Sequence, residues 1–335
     1  TLQGAGIYGY YSKARILNCT ISQNINSSSY PLVQEGGGIK MDYSEPRLEN
    51  VTIDNNCAAD GSGIYIRIGY YDGSGNQIQN GISLKKRRVI NNGCLTGSQS
   101  NSAIYYTGWG DISLENCLIA NNAESNAVKL YGNNSTVLNS TLYQSNSQSN
   151  TGISFVSGGN TLNVINSILW GFPSDIDLGG FVGNVIINNS IFQNDLSAIN
   201  LSGTNGTWNL SSSSVTASNP FFVDGANNDY HLTDYSPCIG AGALDGAPDT
   251  DIEGNPRPNP AGSNPDIGAY EHVLGNPLVM GCTDSAACNY DQLADTDDGS
   301  CVYCSCQTTC SGHGTCVDGV GSYTCTCNGY YSGTN

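Results

Sequence analysis

Four aspartates near the end of the chain form its densest set of potential metal ligands. They stand just before a glycine at position 299, and they are Asp291, Asp295, Asp297 and Asp298. Closely spaced oxygen ligands on a turn are what a hard cation such as Ca²⁺ requires, although the full calcium-binding helix–loop–helix pattern is missing. Two interpretations stay open: a calcium site, and an acidic turn held by disulfides.

Two further aspartates raise the question of an active site. Asp175 and Asp177 alternate along a predicted strand, so their side chains share one of its faces. Polysaccharide lyases and hydrolases combine such carboxylates with basic or histidine partners. Residues 131–272 contain no lysine and a single arginine, Arg257. We therefore predict a protein that is not an enzyme.

Aromatic and cationic side chains recur at one outward strand position. The residues are Tyr8, Lys40, Tyr65, Tyr105 and Lys129, with Trp109 nearby. Stacked strands would align them into a stripe that stacks on sugars or packs against another subunit. Scattered, solvent-facing tyrosines are the alternative. We predict partner binding by Tyr8, Tyr65, Tyr105 and Trp109.

One short segment concentrates positive charge. Lys85, Lys86, Arg87 and Arg88 are four of the eleven basic residues. The run fits a solvated loop, a proprotein cleavage site, or a docking point for an acidic surface such as a second copy of the chain. These four residues are also predicted to bind a partner.

The net charge excludes some partners. The 335 residues include 28 acidic and 11 basic side chains, which gives −17 at pH 7. Residues 1–130 contain ten of each kind, so the excess lies in residues 131–335. A nucleic-acid binder needs a basic face, and no window has the apolar run that spans a bilayer. We predict neither nucleic-acid binding nor a membrane span.

Cysteines indicate the compartment. Fourteen are present, nine of them in residues 282–335, which suits an oxidising, extracellular location. Cys57 and Cys94 fall in early, neighbouring repeats and are a predicted disulfide pair. A second predicted set has three possible connectivities: Cys282, Cys288, Cys301 and Cys304. The chain begins at Thr1 without a signal peptide, as a processed or partial chain would.

Two interleaved patterns repeat through the first two-thirds of the chain. One is apolar-x-Asn-x-x-apolar, with its asparagine at positions 18, 50, 92, 116, 139, 166 and 189. The other is a small residue followed by apolar-x-apolar, as in residues 38–41 and 63–66. Period-2 alternation predicts short strands with one buried face, which bury a core only by stacking. We predict an all-β fold: a right-handed parallel β-helix followed by small disulfide-rich modules.

The repeated asparagine has two interpretations. Its amide can bond to the amide one rung away and form a ladder, or it can carry a glycan where Ser or Thr follows at the second position. We expect the corner asparagines to be in ladders. Glycosylation is predicted in looser segments, at Asn26, Asn133, Asn205 and Asn209.

Two runs carry a resemblance to a known family. Asn-Pro-Phe-Phe-Val-Asp at 219–224 and Pro-Asp-Ile-Gly-Ala-Tyr-Glu at 265–271 make residues 1–272 resemble secreted β-helix proteins of the choice-of-anchor type, related to pectate-lyase-like proteins. This resemblance implies the fold and an extracellular location, without an activity. The Pro-rich residues 256–265 are expected to cap the open end of the stack.

The C-terminal resemblances concern small modules. Gly-Cys-Thr-Asp at 281–284 and Asp-Gly-Ser-Cys at 298–301 resemble a tail repeat of large secreted proteins of marine bacteria and protists. The cysteine spacing from Cys306 resembles an EGF-like domain that lacks its last cysteine, which implies the pairs Cys306–Cys316 and Cys310–Cys325 and a longer natural protein. The predicted domains are 1–272, 273–304 and 305–335.

These features predict a non-catalytic extracellular protein with a structural or adhesive role. Its place would be a cell-surface fibre, a filament such as a flagellar hair, or a matrix, in a protist or alga. Its partners would be other copies of itself, other extracellular structural proteins, or glycans, and Ca²⁺ is the one expected cofactor. A carbohydrate-binding or polysaccharide-degrading β-helix is the alternative.

Overall fold

The computed structural model describes most of the chain. The described residues are 6–24, 35–71, 77–78, 81–93, 102–122, 126–131, 134–145, 151–156, 160–178, 184–194, 199–200, 207–210, 218–287, 289–302, 314–319 and 322–327. The chain divides into two compact units, residues 1–276 and 277–335. Parallel strands dominate the first unit, and the described residues contain no α-helix. The predicted parallel β-helix is therefore confirmed.

The first sheet contains one short strand from each of eight rungs, all parallel. Its strands, in spatial order, are β1 (Ile7–Tyr10), β3 (Ile39–Asp42), β5 (Ile64–Arg67), β9 (Ile104–Thr107), β12 (Asn126–Tyr131), β15 (Thr151–Val156), β18 (Ser174–Asp177) and β21 (Ile199–Asn200). Apolar side chains at alternate positions point into the stack, where Ile39, Ile64 and Ile104 are fully buried. The period-2 alternation therefore forms a continuous apolar column.

The second sheet bends around a corner. Three early strands pass through it unbroken: β2 (Arg15–Ser22), β4 (Arg47–Asp54) and β8 (Ile82–Ile90). Later rungs contribute separate strands before the corner, β10 (Ile112–Glu115), β13 (Ser135–Leu138), β16 (Thr161–Ile165), β19 (Asn184–Asn188) and β22 (Thr207–Leu210). After the corner come β11 (Leu118–Ala120), β14 (Thr141–Tyr143), β17 (Ile168–Trp170) and β20 (Ile191–Phe192).

The corner residue has a left-handed backbone, and asparagine tolerates it better than most residues. Successive rungs place Asn18, Asn50, Lys86, Asn116, Asn139, Asn166 and Asn189 there, all with positive φ. The Asn50 amide donates to Asn18 Oδ1 at 3.1 Å, and the Asn166 amide donates to Asn139 Oδ1 at 3.3 Å. The expected ladder is therefore present in these two steps, and Lys86 interrupts it at the third rung.

A second amide ladder runs inside the stack. The backbone and side-chain N–H groups of Asn56 both donate to Asn92 Oδ1 at 3.0 Å, and those of Asn92 donate to Asn122 Oδ1 at 2.8 and 3.0 Å. Asn24 adds the first step. Assigning Asn92 to the outer corner was therefore wrong, because it aligns with Asn56 in this buried column.

Removing one amide from the buried ladder should destabilise the stack. We expect Asn92→Ala to lower the free energy of unfolding by about 2 kcal/mol, because two buried donors of Asn56 lose their acceptor. Urea denaturation measures the change. The control is Asn50→Gly on the exposed outer ladder, where glycine keeps the left-handed backbone. Equal losses in the two variants would contradict a special role for the buried column.

Residues 218–276 form a lateral cap against the side of the stack. The cap contains the antiparallel pair β23 (Phe222–Asp224) and β24 (Asp229–Leu232), joined by a short 3-10 helix at Gly225–Asn227. Two apolar clusters seal it. One contains Leu118, Ala120, Tyr230, Ile252, Ala269 and Tyr270, and the other contains Ile168, Ile191, Leu232, Cys238, Ile239 and Ile267.

The outer corner asparagines hold the lateral cap in place. Their amides donate to cap carbonyls: Asn116 to Thr250 at 2.6 Å, Asn139 to Asp266 at 3.2 Å, Asn166 to Ala243 at 2.8 Å and Asn189 to Ala241 at 2.9 Å. Through these four bonds the cap crosses the rungs along one side, from the fourth to the seventh. Within residues 256–265, Arg257 donates to Asn116 Oδ1 at 3.3 Å. The expectation that this segment closes the end of the stack was therefore wrong, because this bond and those of the flanking Thr250 and Asp266 place it on the flank.

The remaining strands form short pairs. In the first unit, β6 (Tyr70–Tyr71) pairs with β7 (Gln77–Ile78). In the second unit, β25 (Met280–Gly281) pairs with β26 (Thr296–Asp297), and β27 (Gly314–Gly319) pairs with β28 (Ser322–Cys327). A disulfide joins Cys282 to Cys301.

Candidate functional site

The predicted stripe on the first sheet is aligned in the structure, but only part of it faces solvent. Register places Tyr8, Lys40, Tyr65, Tyr105 and Lys129 on successive strands. Tyr8 is 44% exposed, whereas Lys40 and Tyr65 are 1% and 4% exposed. The prediction that Lys40 and Tyr65 lie on the outer surface was therefore wrong, because both side chains are buried. Their side chains belong to a buried network.

Lys40 is the centre of that network. Its ammonium lies 2.5 Å from Glu35 Oε2 and 3.2 Å from Asp42 Oδ2, and 5.6 Å from the ring centroids of both Tyr8 and Tyr65. Tyr65 stacks on Tyr105 with centroids 5.1 Å apart. Burial raises the pKa of both phenols, that of Tyr105 to about 12. These side chains therefore stabilise the early rungs.

An aromatic cleft opens where the first-sheet strands end. It has a volume of about 560 Å³ and is lined by Tyr11, Tyr43, Arg67, Ile68, Gly69, Thr107, Gly108 and Trp109. The Tyr11 and Tyr43 rings stack with centroids 5.3 Å apart and planes 22° apart. The Arg67 guanidinium lies 5.2 Å from the Tyr43 ring centroid. Flat rings and one guanidinium thus share a single concave surface.

A buried carboxylate and a glycine lie behind the two sides of this cleft. Arg67 Nη2 and Nε lie 2.8 and 3.0 Å from Asp42 Oδ1, and the Asp42 carboxylate is 2% exposed. Gly69 has a φ of +92°, and a Cβ there would lie 2.8 Å from the Trp109 ring. A side chain at position 69 would therefore displace Trp109. The guanidinium is thus held by Asp42, and the indole packs against the backbone of Gly69.

Three residues of the cleft were missed by the sequence patterns: Tyr11, Tyr43 and Arg67. The signal was present, because Tyr11 and Tyr43 each follow the last residue of a first-sheet strand and align in register. The sequence prediction selected Trp109 but grouped it with the stripe. In the structure it belongs to this cleft.

The basic run lies in strand β8, so its interpretation as a loop was wrong. Lys85 pairs with Glu115 at 2.6 Å, the Lys86 ammonium donates to Thr250 Oγ1 at 2.7 Å, and Arg88 pairs with Glu253 at 2.7 Å. The surface that meets Lys86 and Arg88 is thus the lateral cap of the same chain, through the Thr250 hydroxyl and the Glu253 carboxylate.

Arg87 faces into the stack. It is fully buried, it aligns with Val51, and its Nε and Nη2 atoms have no hydrogen-bond partner among the described residues. Its Nη1 donates to the carbonyls of Lys85 and Lys86. Desolvation lowers the pKa of Arg87 to about 10. Of the four basic residues, it is the least accessible to a partner.

We expect Arg87→Met to stabilise the protein by about 1 kcal/mol or more, because an apolar side chain of similar length replaces a buried charge. The shift of the urea midpoint at constant slope measures it. Arg88→Met is the matched control, and it should destabilise because its guanidinium pairs with Glu253 and lies 5.5 Å from the Tyr270 ring. A loss of stability in Arg87→Met would contradict the prediction.

Asp175 and Asp177 are not equivalent. Asp175 is 1% exposed, and its Oδ1 atom has no hydrogen-bond partner among the described residues, while Asp177 is half-buried. Register places Asp175 in the column of small residues that includes Gly152 and Ala127. Burial raises the pKa of Asp175 to about 7, and the Asn194 amide at 3.5 Å from Oδ2 opposes that shift.

The four C-terminal aspartates each accept a hydrogen bond from a nearby backbone N–H group. Asp291 accepts from Leu293, Asp295 from Val279, Asp297 from Gly299 and Asp298 from Ser300, at 2.8 to 3.1 Å. Within the described ranges, no group of three or more His, Cys, Asp or Glu side chains could hold a metal ion. The geometry lends no support to calcium here, which stays a prediction.

Cysteine placement resolves part of the predicted pairing. Of the three open connectivities, the structure contains the Cys282–Cys301 bond. Cys57 is disulfide-bonded, and its predicted partner Cys94 lies outside the described residues. Cys288, Cys304, Cys306 and Cys310 also lie outside them. Cys316 and Cys325 are cross-strand neighbours in β27 and β28, and their predicted pairs stay predictions.

Of the predicted glycosylation sites, Asn26, Asn133 and Asn205 lie outside the described residues, and Asn209 lies in β22.

Comparison with known proteins adds no assignment. No family model matches the chain, and neither does any curated protein or solved structure. No helix in the described part of the chain is long and apolar enough to cross a bilayer.

Proposed function

We propose that the protein is a non-catalytic extracellular component with a structural or adhesive role, in a cell-surface fibre, a filament such as a flagellar hair, or a matrix. The observation that carries this proposal is that amide and basic side chains make contacts within the chain itself. Asparagine amides form ladders and hold the lateral cap, and Lys86 and Arg88 contact that cap. These groups hold a repetitive scaffold together.

Two further observations support an extracellular scaffold. The Cys282–Cys301 bond fits the oxidising environment outside cells. Asp175, one of the two aspartates considered for catalysis, is buried within the stack, where a polymer cannot reach it. The resemblances of residues 1–272 to choice-of-anchor proteins, of 281–303 to a secreted tail repeat and of 306–330 to an EGF-like domain agree with this role, in a protist or alga.

Electron microscopy of the native source tests the proposal. Antibodies raised against the purified chain should label surface fibres, filaments or matrix, and regularly spaced label would indicate repeated copies. Purified chain incubated with acidic and neutral polysaccharides should release no unsaturated or reducing sugar ends. Label confined to the cell interior would overturn the proposal. So would sugar release that disappears in Asp175→Asn or Asp177→Asn.

A further inference from the structure

We propose that the aromatic cleft of Tyr11, Tyr43, Arg67 and Trp109 binds hexopyranose units of a neutral polysaccharide. This inference rests on the proposed function, because the cleft would provide the contact through which an adhesive protein binds its partner. Three properties of the cleft favour such a ligand: its shape, the packing of its side chains and its charge. Each of these follows from contacts within the first unit.

The shape of the cleft suits a sugar ring. One face of a hexopyranose carries C–H groups and packs on flat aromatic rings, while its hydroxyl groups lie at the edge and need hydrogen-bond partners. Tyr11 and Trp109 are 54% and 37% exposed, so ring surface is open to solvent. The volume of about 560 Å³ lies within the range of small-ligand sites.

The cleft is organised before binding, so little conformational entropy is lost when a ligand enters. Tyr11 and Tyr43 stack on each other, and the Tyr10 ring meets both edge-on at 4.6 and 5.9 Å. Trp109 lies against Gly69, where no side chain intrudes. The contact of Arg67 with Tyr43 fixes the guanidinium beside this aromatic platform.

Charge favours a neutral ligand. Two N–H donors of Arg67 contact Asp42, which leaves three of the five donors of a guanidinium for ligand oxygens. The charges of Arg67 and Lys40 are balanced by those of Asp42 and Glu35. A carboxylate or sulfate would therefore meet no net positive field. Hydroxyl oxygens can still accept hydrogen bonds from the remaining N–H groups of Arg67.

Affinity electrophoresis of the full chain tests the site, in gels that contain mixed-linkage β-glucan, galactomannan or alginate. At least one neutral polymer should retard the protein, and retardation should persist at high salt because stacking is not screened. Trp109→Ala and Tyr43→Ala should each weaken binding by about tenfold or more. The control is Phe221→Ala, which removes a 49% exposed ring from the lateral cap.

Several results would overturn the inference. They are no retardation by either neutral polymer, retardation that both cleft variants retain, and binding to alginate alone that salt abolishes. Binding of a proline-rich peptide to the cleft, with no polysaccharide binding, would reassign it to a protein partner. None of these results changes where the protein is located, so immunolabelling separates a failure of this site from a failure of the proposed function.

Discussion

Arg257→Ala is expected to lower the free energy of unfolding by about 3–5 kcal/mol, because it leaves a buried carboxylate without its counter-ion. Arg257 Nε lies 2.8 Å from Glu271 Oε2, and both side chains are 0% exposed. The same guanidinium donates to Asn116 Oδ1 at 3.3 Å and to the Gly268 carbonyl at 3.2 Å. It therefore joins the lateral cap to the fourth rung.

Urea denaturation of the full chain measures this loss, and hydrogen exchange locates it in the lateral cap. The matched control is Arg47→Ala, which breaks an exposed pair with Glu49 and should cost less than about 1 kcal/mol. The double variant Arg257→Met/Glu271→Gln should recover part of the loss, because neither charge remains. A cost below about 1 kcal/mol for Arg257→Ala would contradict the assigned role.

Asp175→Asn is expected to stabilise the protein near pH 7 and to leave it almost unchanged near pH 3. The pKa of Asp175 rises from 3.8 in the unfolded reference to about 7 in the folded chain. The carboxyl group therefore favours folding below pH 3.8, and this contribution is lost as the pH rises toward 7. At 1.36 kcal/mol per pH unit, the difference between the two proteins should reach about 4 kcal/mol.

Free energies of unfolding at several pH values from 3 to 8 test this dependence. Asp266 also has its pKa raised to about 7 by burial, so the difference between parent and variant isolates Asp175. Asp245→Asn is the control for removing one negative charge at an exposed position. A difference between parent and Asp175→Asn that does not change with pH would contradict the raised pKa.

Much of the first unit follows from local sequence. Period-2 alternation and a recurring small residue predicted the first-sheet strands and aligned Tyr8, Lys40 and Tyr65, because each rung repeats the geometry of the last. The outer ladder was predictable for the same reason. The pattern failed at the third rung, where Lys86 holds the corner. Asn92 was misassigned there because both ladders use asparagine near an apolar residue.

Contacts between segments distant in sequence could not be predicted. Lys86 and Arg88 of the basic run contact Thr250 and Glu253, which are more than 160 residues away in the sequence. The aromatic cleft has the same origin, because Arg67 and Trp109 belong to different rungs from Tyr11 and Tyr43. Sequence patterns define each rung, whereas side-chain cover depends on which segments the fold brings together.

The lateral cap has a consequence for how the stack responds to a pulling force. Rungs of a solenoid contact only their neighbours, so such a protein can yield one rung at a time. Here one segment is fastened to every rung from the third to the seventh through Lys86, Asn116, Asn139, Asn166 and Asn189. No rung in that group can separate from the stack without breaking its hydrogen bond to the lateral cap. These rungs should therefore rupture as a block, at a higher force than a stack without such a segment.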